Sequence, residues 1–271
     1  MLMDDGVDIF IDDTGHGPAI ILAHEFGGDW RTWDKIARDL SQDHRCIRFS
    51  ARGFLPSDVP VDMALYSQDR QVRDVLAIAN TLGLETFHLV GLSMGSFTSL
   101  MFALKYADRL LSLTLMGCSS GPRDDASKAA YLSEIEKQID LLERASGKGA
   151  VEWFANDPAY VHLEDKARLE WQTYRNNLEQ QSVTGALNTL RTVHWNRVSL
   201  FDMSRELRDL NVPTLLIYGD EDYPTIASTN EFLENTLPIC RKVFLQNTGH
   251  LVHIEEPASI IKEVRRQIGS I

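Results

Sequence analysis

Gly91-Leu92-Ser93-Met94-Gly95 sets a serine between two glycines, a G-x-S-x-G spacing that can support nucleophilic chemistry. A serine hydroxyl is a poor nucleophile at neutral pH. It needs a general base within hydrogen-bond reach, and the base needs an orienting acid. Further along the chain, Thr248-Gly249-His250 offers the base and Gly219-Asp220-Glu221-Asp222 offers the acids. Together these groups could cleave an acyl group from its leaving group. The glycines have a physical reason. A serine at a tight strand-to-helix turn has a strained backbone, and side chains two residues away on either side are expected to collide with it. The same turn aims a helix N-terminus, with its unpaired N–H groups, at a developing oxyanion.

Each group needs an element to position it. The apolar run Phe87-His88-Leu89-Val90 precedes the serine and reads as a strand. Met94, Phe97, Met101 and Leu104 follow at spacings of three and four, which predicts a helix. Residues 214–218 predict a strand before the acids, and residues 242–245 a strand before His250. Parallel strands would open all three loops onto one edge of a sheet. The rest of the chain fits that scheme. Residues 7–12 alternate as an edge strand and end in the turn cluster Thr14-Gly15-His16-Gly17-Pro18. Strands are expected at 19–23, 45–49 and 110–116, and an amphipathic helix at 67–82, with Val72, Val75, Leu76 and Ala79 on one face. From 121 to 205 the rhythm changes to helices alone, at 124–144, 151–155, 163–180 and 183–193. Alternation resumes with helices at 225–235 and 257–268. The expected fold class is therefore α/β: a mostly parallel central sheet with helices on both faces. Residues 1–120 and 206–271 form its core, and residues 121–205 are an inserted helical cap over the ligand-binding edge.

Composition narrows the function. The chain has 271 residues, 44% hydrophobic and 24% charged, enough for a large core. A net charge of −12 argues against nucleic acid or an anionic membrane as partner, since both need basic surface. The N-terminus Met1-Leu2-Met3-Asp4-Asp5 lacks the basic and apolar regions of a signal peptide. No apolar run approaches the roughly 20 residues that span a bilayer. Cys46, Cys118 and Cys240 are widely spaced and lie in or beside apolar runs, as reduced thiols of a cytoplasmic protein would. No metal-ligand spacing is present, and the chemistry asks for no cofactor and no metal. A homodimer stays open.

The chain resembles the α/β-hydrolase superfamily over essentially its whole length. The residues that carry the resemblance are His24-Glu25-Phe26-Gly27-Gly28, Arg52-Gly53, the glycine-flanked Ser93, Gly219-Asp220-Glu221-Asp222, and Gly249-His250 followed by Glu255 and Pro257. The resemblance implies the α/β-hydrolase fold, Ser93 as nucleophile and His250 as base. It selects Asp222 as the acid, three residues after its glycine, with Asp220 as the rival. It also implies an oxyanion hole built from the backbone N–H groups of Met94 and Phe26.

Two positions depart from the family pattern. Glu25 stands where glycine is usual, and its side chain is expected to point away from the oxyanion site. Ser96 stands where a further glycine is frequent, with only a slight packing change expected. His24 should brace its loop, Arg52 should make a structural ion pair or carbonyl contacts, and His253 should pack. Trp153, Phe154, Tyr160, Trp171, Tyr174 and Trp195 could wall a pocket, although a small core private to the insert is the expectation for each. Serine at the turn implies an esterase or lactonase acting on a small-molecule ester or lactone through an acyl-enzyme. The alternatives are a carbon–carbon bond hydrolase of a ring-cleavage product and a non-catalytic small-molecule receptor.

Overall fold

Short apolar runs in this chain become strands because both of their faces are covered. The computed structural model describes residues 1–144, 160 and 163–269. Among these residues the strands are β1 (Ile11–Gly15), β2 (Ala19–Ala23), β3 (Arg45–Phe49), β4 (Phe87–Leu92), β5 (Leu110–Met116), β6 (Thr214–Gly219) and β7 (Cys240–Leu245). They form one sheet in the order β1-β3-β2-β4-β5-β6-β7. β1 pairs antiparallel to β3 at the edge, and the other pairings are parallel. Every residue of β2, β4 and β6 is buried, as central parallel strands require.

The period of two along each strand divides the core. Ile21, Leu89, Leu113 and Leu216 join α2 (Gln68–Thr81) and α3 (Met94–Lys105) on one face, with Val75, Ile78, Phe97 and Leu100 as their partners. Ile20, Leu22, Val90 and Ile217 join the opposite face, against Ile36 and Leu40 of α1 (Asp34–Leu40) and Ile260 and Val264 of the helix Pro257–Ile268. Each such side chain, fully covered, contributes about 1.5–3 kcal/mol. Between β5 and β6 the described residues form α4 (Asp125–Arg144), then Leu163–Lys166, Arg168–Gln180 and Val183–Thr189, which runs on into a π-helical turn at Leu190–His194. The expected helix at 151–155 lies outside the described residues. No helix among the described residues is long and apolar enough to cross a membrane.

Three local differences from the sequence reading have physical causes. The edge strand is Ile11–Gly15 rather than 7–12. Val7 and Ile9 pair back onto the N-terminus (Met3 N–H to Val7 O, Ile9 N–H to Met1 O, both 2.8 Å), which uses the earlier alternation in a local hairpin. The helix expected over 163–180 is two helices, because Ala167 adopts φ −142, ψ 53. Lys166, just before the break, donates to Asn247 O at 2.6 Å and pairs with Glu256 at 2.8 Å. A tertiary tie thus wins over helix propensity. The third is the π-helical turn, where a regular helix through 193 is expected from the pattern.

Arg52 is 1% exposed and forms the structural ion pair expected of it. Its Nε and Nη2 donate to the two Asp74 carboxylate oxygens at 2.7 and 2.6 Å, and its Nη1 reaches Asp5 at 2.8 Å and Leu65 O at 2.5 Å. This joins the chain start, the loop after β3 and α2. Removing one partner leaves a buried charge uncompensated. Arg52→Met should therefore cost about 3–5 kcal/mol of unfolding free energy, read by urea denaturation. A loss below about 1 kcal/mol would show that the cluster does not hold these segments together.

Candidate active site

Ser93 sits between β4 and α3 with φ 53, ψ −111, a backbone that a residue with a side chain rarely adopts. The glycines permit this turn, though not by making room for the serine. A Cβ on Gly95 would lie 2.1 Å from Ala23 O in β2, and one on Gly91 would lie 2.4 Å from Gly95 O. What the glycines relieve is a backbone-to-backbone contact between the first turn of α3 and the strand ends. Ser96 does more than adjust packing. Its hydroxyl is fully buried, 2.8 Å from both Gly91 O and Met116 O, and its single proton can serve either carbonyl, so it ties the turn to β4 and β5. The Ser93 N–H donates to Met116 O at 2.9 Å.

Of the acids after β6, Asp222 is the one that reaches His250. The His250 Nδ1 donates to Asp222 Oδ1 at 2.8 Å, and that oxygen also accepts the Tyr223 N–H at 2.7 Å. The two side chains are 4% and 1% exposed, so the pair is shielded from water. Asp220 instead accepts the Thr248 N–H at 3.2 Å and shapes the turn. Glu255 takes the Gly249 N–H with both carboxylate oxygens, at 3.1 and 3.0 Å, and so orients the residue before His250. The link to Ser93 runs through Gly117, which follows β5 with φ +52. A Cβ there would stand 3.1 Å from His250 Cε1 and 3.4 Å from Asp222 Oδ2. The imidazole therefore lies against the residue directly after Met116, whose carbonyl holds the Ser93 N–H.

The loop after β2 brings Phe26 to the same edge. Its ring meets Phe54 at 5.8 Å and His194 at 5.0 Å. Met94 opens α3, where helix geometry offers its N–H no acceptor. His24 braces this loop. Its Nε2 accepts the Ala51 N–H at 2.9 Å, so Nδ1 carries the proton and donates to Glu25 O at 2.7 Å. Burial holds its pKa below the ordinary value. Glu25 is 1% exposed and turns into the protein. Thr32 Oγ1 donates to Glu25 Oε1 at 3.1 Å and accepts from His253 Nε2 at 2.7 Å, and the Tyr174 hydroxyl bonds the same carboxyl group. Burial pushes the Glu25 pKa up to about 7, a rise that the Tyr174 and Thr32 hydrogen bonds only partly oppose. Burial likewise lowers His253 to about 3. His253 packs on Trp33, with ring centres 5.0 Å apart.

The aromatic residues of the insert correct the expectation of a private core. Tyr160, Trp171 and Tyr174 stack in sequence, with centroids 6.3 and 5.9 Å apart, and Tyr160 meets the His250 ring edge-on at 5.9 Å. They share one apolar cluster with Trp33, Leu251 and Val252, from the segments after β2 and β7, and with the sheet residues Leu22 and Leu92. Trp195 packs instead against the cluster of Ile135, Leu142, Ala186 and Leu190. Trp153 and Phe154 lie outside the described residues. Sequence reasoning missed Gly117, His194 and Arg197. A glycine directly after an apolar strand was a usable signal for Gly117. The other two had none.

Residues 18–257 match the family model of the alpha/beta hydrolase fold, and the chain belongs to that family. Among curated relatives, a Bacillus subtilis (strain 168) protein provisionally named 2-succinyl-6-hydroxy-2,4-cyclohexadiene-1-carboxylate synthase is 27% identical, over 99% of this chain and 97% of its own. The 3-oxoadipate enol-lactonase 1 of Acinetobacter baylyi is 24% identical, over 94% of this chain and 90% of its own. Among solved structures, a thermophilic esterase from Thermogutta terrifontis superposes with a TM-score of 0.85 at 23% identity, covering 99% of this chain and 96% of that one, and shares the fold.

Two outcomes follow from the local geometry. Gly95→Ala sets a methyl against the Ala23 carbonyl and should destabilise the protein by about 1–3 kcal/mol in urea denaturation. Wild-type stability in that variant would refute the close contact. Glu25 gives a pH dependence. Its folded pKa of about 7 exceeds the ordinary 4.5, so the folded state keeps this proton longer and ionisation favours unfolding. Stability contributed at this position is present at low pH and declines as pH rises through about 7. Glu25→Gln should lose that decline, gaining on wild type between about pH 5 and pH 8. A difference independent of pH would exclude Glu25 as the titrating group.

Proposed function

We propose that the protein is a serine hydrolase that cleaves a carboxylic ester or lactone through an acyl-enzyme. The observation that carries this reading is the buried His250–Asp222 pair, 2.8 Å apart and packed against the backbone residue next to the one that holds Ser93. Donation from Nδ1 to Asp222 leaves Nε2 as the basic nitrogen. His250 takes the Ser93 proton as Oγ attacks the carbonyl carbon, and Asp222 stabilises the imidazolium. The Met94 and Phe26 N–H groups receive the oxyanion, each worth about 3–4 kcal/mol to the transition state. Collapse expels the alkoxide, which His250 protonates. Water then enters, His250 removes its proton as the oxygen attacks the acyl carbon, and collapse releases the acid while His250 returns the proton to Ser93 Oγ.

The helices between residues 121 and 205 act as the cap, and the Tyr160 ring against His250 supports that role. An enol-lactonase among the relatives supports the substrate class. The test is Ser93→Ala assayed with p-nitrophenyl butyrate and with a small lactone. Turnover should fall roughly 10⁴-fold or more while unfolding remains cooperative. A fluorophosphonate probe should label the wild type and not the variant. Substantial turnover in Ser93→Ala would sink the assignment. A folded wild type that binds a small molecule yet resists the probe would favour a receptor.

A further inference from the structure

Two side chains near this site carry buried nitrogens without a hydrogen-bond partner. Both lie where the chain returns from the inserted helices towards the sheet. His194 ends the π-helical turn, with its ring against Phe26 at 5.0 Å and its buried Nε2 making no hydrogen bond. Arg197, three residues on, is 7% exposed. Its Cζ stands 4.8 Å from the centre of the Phe97 ring, and Phe97 is one turn along α3 from Ser93, whose carbonyl accepts the Phe97 N–H. Its Nη1 donates to Ser119 Oγ, two residues beyond the Gly117 that touches His250. Its Nε and Nη2 are buried and without a hydrogen-bond partner.

The free pair of nitrogens is chemically specific. Nε–H and Nη2–H point the same way along one edge of the planar guanidinium and match the two oxygens of a carboxylate. The protein uses this edge elsewhere. Arg52 clasps Asp74 through Nε and Nη2, and Arg31 clasps Asp29 through Nε at 3.0 Å and Nη2 at 2.7 Å. No acid among the described residues serves Arg197 in that way. Burying a charge with its donors unmade is among the costliest arrangements a protein can hold. Arg197 and Ser199, whose buried Oγ is also unpartnered, border a cleft of about 520 Å³.

We propose that Arg197 is a carboxylate-binding subsite, so that the substrate is an ester or lactone carrying a second, free carboxylate; this rests on the reading of Ser93 as the nucleophile beside it. Phe97, against which Arg197 packs, lies one helical turn along α3 from Ser93, so a monoester of a short diacid is the probe. His194 stands by Phe26 with its buried Nε2 unpartnered, and burial holds its pKa well below the ordinary value.

The experiment has a binding arm and a turnover arm. In the first, Ser93→Ala protein is titrated calorimetrically with methyl hydrogen glutarate and with dimethyl glutarate. The acid should bind at least tenfold tighter, and Ser93→Ala/Arg197→Gln should lose the difference. In the second, the ratio of kcat/KM for methyl hydrogen glutarate over methyl valerate is followed in a pH-stat. That ratio should exceed ten in the wild type, fall towards one in Arg197→Gln, and recover partly in Arg197→Lys. Equal binding of acid and diester overturns the subsite, as does a preference that survives Arg197→Gln. Equally strong competition by inorganic phosphate or sulfate overturns carboxylate specificity. The wild-type and Ser93→Ala comparisons need no Arg197 variant, so misfolding of one does not blunt the test. Tight acid binding without turnover in the wild type would sink the nucleophile and leave the subsite standing; turnover without preference would do the reverse.

Discussion

Backbone touches backbone where α3 begins, and the site is organised around that contact. Gly95 lies so close to the Ala23 carbonyl that a single added carbon would fall 2.1 Å from it. With hydrogen alone at positions 91 and 95, the helix seats its first turn directly on the ends of β2 and β4. Ser93, caught at the turn, takes φ 53, ψ −111. A residue with a side chain held there costs about 1–3 kcal/mol and persists when its surroundings over-determine it. Those surroundings are visible: the Met116 carbonyl on the Ser93 N–H, and the Ser96 hydroxyl between Gly91 and Met116.

The parallel register extends this local arrangement across the sheet. β2, β4, β5, β6 and β7 all point their C-terminal ends at one edge, so the loops bearing Phe26, Ser93, Gly117, Asp222 and His250 are neighbours although the residues are distant in sequence. Fixed strands supply the spacing, and each loop needs only a few hydrogen bonds to set its own side chain. Glu255 does this for the His250 loop and His24 for the Phe26 loop.

Much of this was legible in the chain because it is written locally. Fully buried strands show as continuous apolar runs, α2 and α3 show their apolar faces, and glycines mark the turns. Asp222 could be preferred to Asp220 by resemblance, and the structure gives Asp222 the contact with His250. Other features depend on what arrives from elsewhere. Ala167 breaks a helix because Lys166 is held by residues some eighty positions away. The stacked Tyr160, Trp171 and Tyr174 read as a core of the insert, yet their contacts run to His250 and the sheet layer. His194 and Arg197 carry no periodic signal. Their importance lies in hydrogen bonds they do not make, which no sequence pattern can record.

The chain of hydrogen bonds from His253 through Thr32 to Glu25 has a mechanical consequence. β2 and β7 are separated by β4, β5 and β6 and share no ladder. Their following loops are nonetheless pinned together inside the core, one residue from Phe26 on one side and three from His250 on the other. A push on either loop is transmitted to its counterpart. The two loops are therefore tied across three intervening strands by side chains alone, with no part of the backbone ladder between them.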